Sequence, residues 1–283
     1  MDKELMQVNE IRRQWAENDA KRDAGIVPAA VHGDHNLPYA NGNLTDFYFP
    51  MEKEERYPVI VNVHGGGWFY GDKGLYSLYA KSLAHEGFAV VNFDYRLAPE
   101  HRYPAAFEDV CLLMDYLSRH ADEFHLDLAQ LNIVGDSAGA QLASQYCIFA
   151  ANPAYRALFP TLAGLNAPLP KKAALNCGIY DIDEKTDRMI VNWYLGGKSP
   201  DSIMHVLDYM TADFPETFLT ASVNDGLRPR SEVMRQKLET LGVKHIYREY
   251  GHEDKADGHV FHLNFRSEAG QRCNAEQIAF FRG

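Results

Sequence analysis

Leu131-Asn132-Ile133-Val134-Gly135-Asp136-Ser137-Ala138-Gly139 is the stretch that decides the fold. Leu131 to Val134 is short and mostly apolar, as a buried strand is. The next five residues set a serine between two glycines, one two positions before it and one two positions after. Beyond them Leu142, Ala143, Tyr146, Cys147 and Ala150 return at helical steps and make one apolar face. A strand that turns into a helix over so few residues strains the backbone at the serine. The small flanking residues let strand and helix close on each other, and the hydroxyl is held out at the strand's C-terminal end. The helix N-terminus beneath it offers free N–H groups to a developing anion. The plain alternative is a glycine-rich turn whose serine merely caps the helix.

Working outward, the same rhythm repeats. Val59–Val63, Ala89–Phe93, Ala173–Cys177, Phe218–Ala221 and His245–Tyr247 read as further strands. Phe107, Val110, Cys111, Met114 and Leu117 mark a helix that starts near Pro104, and Val233, Met234, Leu238 and Leu241 mark another. Strands alternating with helices predict an α/β fold with a mostly parallel central sheet flanked by helices on both faces. Two segments stand outside the rhythm. Residues 1 to about 45 begin with an amphipathic helix carrying Leu5, Val8, Ile11 and Trp15 and continue as a loop rich in Gly, Pro and Asn. Residues 182 to about 213 are an insertion between two core strands and carry Trp193 and Tyr194. Both are expected to form a small cap on a single domain spanning 1–283, with surface elaboration as the bland alternative.

A second motif, His64-Gly65-Gly66-Gly67-Trp68, follows the strand Val59–Val63. Successive glycines let the backbone approach a ligand closely with its N–H groups exposed, which is what an oxyanion hole needs. A phosphate loop would want a lysine or a helix start after the glycines. Trp68-Phe69-Tyr70-Gly71-Asp72 stands there instead.

The two motifs together resemble the α/β-hydrolase fold, and within it the hormone-sensitive-lipase-like esterase family. Asp94-Tyr95-Arg96-Leu97-Ala98-Pro99-Glu100 with Tyr103-Pro104-Ala105-Ala106 is similar to a further stretch of that family, in which Arg96 and Glu100 would be structural polar residues near the oxyanion loop. The resemblance covers roughly residues 55 to 265. It implies a serine carboxylesterase of the acetyl esterase type, needing neither metal nor organic cofactor. It implies Ser137 as nucleophile, with backbone N–H groups of Gly66, Gly67 and Ala138 as the oxyanion hole. For the acid it implies Asp225, in Asp225-Gly226-Leu227 where the family usually has Asp-Pro-Leu; Asp181 and Asp213 are rivals. For the base it implies His259, in His259-Val260-Phe261, which fits the family's histidine-x-phenylalanine pattern. His252 and His262 are its rivals, His252 with little loop to reach Ser137 and His262 within a helix expected to follow. Trp68, Phe69, Tyr70, Trp193 and Tyr194 are candidate walls of an apolar substrate pocket, with ordinary core packing as the alternative for each. Short acyl chains, about two to six carbons, are expected by fold-level analogy.

Composition closes off other classes. Lys and Arg number 28 and Asp and Glu 39, a formal net charge of −11, which argues against nucleic acid and suits a small neutral ester. The longest apolar runs, such as Phe88–Phe93, are far below the roughly 20 residues that span a bilayer. The chain begins Met1-Asp2-Lys3-Glu4, charged where a signal peptide would be apolar, and its four cysteines are dispersed, so a cytoplasmic protein with reduced thiols is expected. An exposed edge strand near His245–Tyr250 could pair two subunits. An amidase or formamidase with the same triad remains open, as does a non-catalytic small-molecule receptor.

Overall fold

The computed structural model describes residues 3–183, 186–252, 254 and 257–283. Its strands are β1 (His32–Ala40), β2 (Asn43–Phe49), β3 (Tyr57–Val63), β4 (Ala89–Phe93), β5 (Leu126–Asp136), β6 (Lys172–Asn176), β7 (Glu216–Ser222) and β8 (His245–Tyr250). They form one eight-stranded sheet in the order β1-β2-β4-β3-β5-β6-β7-β8. β1 with β2 and β2 with β4 are antiparallel; the other neighbours are parallel. The helices are α1 (Lys3–Asp23), α2 (Ser77–His85), α3 (Ala105–His120), α4 (Ala138–Ala151), α5 (Pro153–Arg156), α6 (Arg188–Leu195), α7 (Arg228–Thr240) and α8 (Glu268–Arg282).

Successive side chains of a strand point to opposite faces, so a strand covered on both sides is apolar throughout and splits its residues between two cores. In β3, Val59, Val61 and Val63 join one apolar cluster with Phe107, Met114 and Leu142 of α3 and α4. Ile60 joins a second cluster with Tyr79, Leu83 and Phe280 of α2 and α8. This double burial fixes register, because a slip of one residue would exchange the two faces. It also brings the C-terminal ends of β3, β5, β7 and β8 to one rim of the sheet, where the loops that follow them meet.

Each expected strand is present. Residues 32–45 differ from expectation: the loop anticipated after the first helix is instead the hairpin β1–β2. Asn41 at φ 52 and Gly42 at φ 77 turn it, the two positive angles of a tight hairpin turn that Asn-Gly favours. β1 hid from pattern reading because it is an outer strand, mostly exposed, with no apolar alternation and with Pro38 tolerated at the edge. α8 was blurred in a different way, since its buried face includes Gly270, Cys273 and Gln277. It starts at Glu268, so His262 sits ahead of it in a short 3-10 turn, Phe261–Leu263.

α1 and the segment between β6 and β7, with α6 and two 3-10 turns, occupy the two places expected to form a cap. Met1, Asp2, Glu184 and Lys185, within those two segments, lie outside the described residues. β8 ends the sheet as an edge strand. Among the described residues no helix is long and apolar enough to cross a membrane.

Candidate active site

The turn from β5 into α4 carries Ser137 at φ 52, ψ −118, a conformation rarely adopted by a residue with a side chain. Close approach explains the glycines around it. A Cβ on Gly135 would lie 2.4 Å from the Gly139 carbonyl oxygen, and one on Gly139 would lie 2.1 Å from that of Val63. The Ser137 N–H donates to the Asn176 carbonyl at 2.9 Å, which ties the turn to the end of β6.

His259 lies beyond β8 and Asp225 beyond β7. The His259 Nε2 is 2.8 Å from Ser137 Oγ, and its Nδ1 is 2.9 Å from Asp225 Oδ2. An ionised carboxylate can only accept, so Nδ1 carries the proton and Nε2 is left to accept from the serine hydroxyl. Burial acts to raise the Asp225 carboxyl, but hydrogen bonds from His259 and from the Leu227 N–H outweigh it and hold the group below the ordinary carboxylate range. The Asp225 side chain is 2% exposed and that of His259 40% exposed, so the imidazole is the accessible member of the pair.

The glycine loop after β3 faces the same space. Gly66 sits at φ 113, and a Cβ there would lie 2.0 Å from the Tyr70 carbonyl oxygen, so no other residue fits. Among the described residues the backbone N–H groups of Gly66, Gly67 and Ala138 have no backbone acceptor. Ala138 opens α4, where the first N–H groups lack an intrahelical partner. The Tyr76 hydroxyl joins the two motifs: it accepts from the Gly65 N–H at 3.0 Å and donates to Asp136 Oδ2 at 2.8 Å. Burial pushes the Asp136 carboxyl up to about 6, against the lowering effect of the Tyr76 bond. Burial likewise pushes His64 down to about 4, and its ring stacks on Tyr95 at 4.0 Å.

Ser137, His259, Gly66 and Gly67 line a cavity of about 590 Å³. Of the five aromatic residues expected in its walls, Phe69 and Tyr70 line it. Trp68 and Tyr194 do not: they are buried and stack on each other at 4.5 Å, with the Trp68 indole N–H donating to Gln141 Oε1. Trp193 stands edge-on behind Phe69 at 4.9 Å and is buried. The Trp68 backbone takes φ 64, in the left-handed region beside Gly67 at φ 61. The rivals of the triad lie elsewhere in their bonding. Asp181 accepts from the Leu207 N–H, Asp213 is exposed, and His252 is exposed, with its carbonyl accepting from Asn224. His262 is buried with no ring-nitrogen partner among the described residues, and burial pushes it down to about 3.

Arg96 bonds Asp109 and Glu108, as a structural residue would. Glu100 receives a two-pronged bond from Arg12 of α1, whose guanidinium also donates to the carbonyls of Phe69 and Ala98. Arg12 thus pins α1 to the glycine loop, a contact spanning most of the first hundred residues that no local pattern announces. Trp15, on the amphipathic helix of the expected cap, also lines the cavity, as do Asn18, Asp19 and Arg22 of α1 and Met189 and Ile190 of α6, which carry no signal in the sequence. Cys177, Asp225 and His259 place possible metal donor atoms within 4.8 Å of one another, but His259 and Asp225 are already bonded to each other, and burial raises the Cys177 thiol well above its ordinary range.

A mostly parallel sheet with a strained serine, an imidazole and a carboxylate bonded in series at its strand ends defines the hydrolases of this architecture. The chain belongs to the alpha/beta hydrolase fold family, whose profile matches residues 60–263. It is similar to an acetyl esterase of Salmonella schwarzengrund, 28% identical over 216 residues, covering 72% of this chain and 66% of that protein. An esterase of Gibberella moniliformis is 26% identical over 218 residues, covering 72% and 68%. The match thus spans about two thirds of the length of these relatives. The crystal structure of esterase B from Lactobacillus rhamnosis, inhibited with a tributyrin phosphonate, superimposes with a TM-score of 0.87 at 24% identity, covering 100% of this chain and 96% of that one.

Proposed function

We propose that the protein is a serine carboxylesterase that cleaves short-chain carboxylic esters through an acyl-enzyme. The observation that carries this reading is the Ser137–His259–Asp225 series, with spacings of 2.8 and 2.9 Å, beside N–H groups of Gly66, Gly67 and Ala138 that have no backbone acceptor among the described residues. The relatives named above as esterases support it. Ser137 Oγ attacks the ester carbonyl while His259 Nε2 takes its proton. Asp225 accepts from Nδ1, fixes the tautomer and stabilises the imidazolium. The carbonyl oxygen, now negative, accepts from the N–H groups of Gly66, Gly67 and Ala138, each worth on the order of 3 kcal/mol in such a hole. Collapse of the tetrahedral adduct expels the alcohol, which takes the proton from His259. Water then attacks the acyl-serine with His259 again as base, releasing the acid and restoring the hydroxyl.

A preference for acyl chains of about two to six carbons is supported by the closing of the cavity with α1 and α6, which leaves about 590 Å³. α1 and the insertion serve as a cap on a single domain. Four buried cysteines without disulfides accord with a reducing, cytoplasmic compartment. A p-nitrophenyl ester series tests the reading: turnover should peak at acetate to hexanoate, and Ser137→Ala should lower it about a million-fold. Comparable turnover by the alanine variant would refute the mechanism, and faster cleavage of long-chain triglyceride would refute the chain-length preference.

A further inference from the structure

The oxyanion donors come from two different elements. Gly66 and Gly67 belong to the loop after β3, and Ala138 opens α4. Donors from both must reach one oxygen at about 2.7 to 3.1 Å, so loop and helix need a fixed relative position. One buried bond spans them. Trp68, the residue after Gly67, donates its indole N–H to Gln141 Oε1 at 3.1 Å. Gln141 lies in the first turn of α4, and its own N–H donates to the Ser137 carbonyl at 3.2 Å. Trp68 is fixed on its other sides too: its ring stacks on Tyr194 at 4.5 Å, and its carbonyl accepts from the Ala98 N–H at 2.8 Å.

Gln141 is itself held in one orientation. Its Nε2 donates to Gln145 Oε1 at 2.8 Å, and Gln145 Nε2 donates to the hydroxyls of Tyr155 at 2.9 Å and Tyr103 at 3.2 Å. The Tyr155 hydroxyl donates to the Ile203 carbonyl at 2.9 Å, in the segment between β6 and β7. Trp68, Gln141, Gln145 and Tyr155 are all buried, away from water that could replace a lost partner. An indole N–H can only donate and a carbonyl can only accept, so the two ends fix the direction of every bond between them. Turning the Gln141 amide over would set its NH2 against the indole N–H and its oxygen against Gln145 Oε1, two contacts between like groups. Simple filling of the core calls for no such chain, since apolar side chains of the same shape carry no unpaired polar atoms.

We propose that Gln141 is a positioning residue for ester cleavage: it sets the Gly66 and Gly67 donors against the Ala138 donor, and the bonds through Gln145 and Tyr155 hold its amide with the oxygen toward Trp68. The inference rests on the esterase reading. The test uses the whole protein with p-nitrophenyl acetate and with a trifluoromethyl ketone as inhibitor. The ketone adds reversibly to Ser137 Oγ, whose proton passes to His259, and leaves an anionic oxygen in the hole. Gln141→Met keeps the length of the side chain and removes both polar atoms. It should lower kcat about tenfold, because acylation and deacylation both use the hole, with KM within about twofold. Inhibition by the ketone should weaken by about the same factor. Tyr155→Phe keeps the ring and removes only a hydroxyl at the far end of the chain. It should lower kcat about threefold with KM unchanged, and it decides alone if Gln141→Met does not fold. A loss confined to Tm or to KM would reduce Gln141 to a core residue and overturn the proposal, as would ketone inhibition that does not weaken with kcat. Those outcomes leave ester cleavage by the unaltered protein intact. Absence of its turnover on every ester would overturn the esterase reading and this inference with it.

Discussion

On one side of the cavity Ser137 at φ 52 and Gly66 at φ 113 stand in backbone that few residues tolerate; on the other, Trp15, Asn18, Asp19 and Arg22 stand in an ordinary helix. The strand-end side is bonded atom by atom, from the buried Asp225 through His259 to Ser137. The α1 side is half exposed and held on chiefly by Arg12 and by side chains that touch the glycine loop. Bond-making demands fixed geometry, so the first wall is rigid. The second wall is built from side chains of a surface helix, where backbone geometry makes no such demand.

The first wall is where a substitution should do most. His259→Ala should reduce ester turnover about a million-fold, as removing the base from a serine hydrolase does, while His252→Ala stays within about twofold. Steady-state kinetics on p-nitrophenyl acetate decide it; equal losses would break the division between the two histidines. Gly66→Ala comes next. Its Cβ would meet the Tyr70 carbonyl oxygen at 2.0 Å, so the loop must shift and an oxyanion donor with it. The expected loss is about 10² to 10³ in kcat with little change in KM. A full-activity Gly66→Ala protein would show that the loop's geometry does not matter.

The link between the two motifs has a pH signature. The folded Asp136 carboxyl is pushed up to about 6 from an ordinary value of 3.8. The native state therefore holds this proton more tightly than the unfolded chain, and its stabilising effect is full below pH 4 and lost as pH rises through 6. The shift corresponds to about 3 kcal/mol across that window. Asp136→Asn stays neutral, so urea unfolding between pH 4 and 7 should lose that component of the slope; an unchanged slope would place the titration elsewhere. The smallest expected effect lies on the α1 side. Arg12→Ala removes bonds to two carbonyls and to Glu100, which should cost about 2 kcal/mol and lower Tm by a few degrees. No change in Tm would mean that α1 is held by its apolar contacts alone.

The same contrast explains what could be read from the sequence. Gly135, Gly139 and Gly66 are demanded by backbone, and a backbone demand leaves a visible spacing, so the serine turn and the glycine loop were legible. Asp225 and His259 were reachable through the order of elements and the family resemblance, with Asp181 and His252 separated from them only by the hydrogen bonds. Trp68, Trp193 and Tyr194 were misplaced for a physical reason. A large aromatic residue near a site looks the same in sequence whether it faces the cavity or the core, and only the packing of Trp68 on Tyr194 and of Trp193 on Phe69 tells the two apart. Asn18 and Arg22 could not be found, because polar residues on a helix are the default for a solvated face. The β1–β2 hairpin did leave a sign, Asn41-Gly42, but its outer strand lacks the alternation that would have supported it.

The central claim is that Ser137 is an activated nucleophile, and covalent labelling tests it most directly. A fluorophosphonate probe followed by peptide mass spectrometry should find one adduct, on the peptide containing Ser137, with labelling lost in His259→Ala. No adduct, or one on a different serine, would contradict the account.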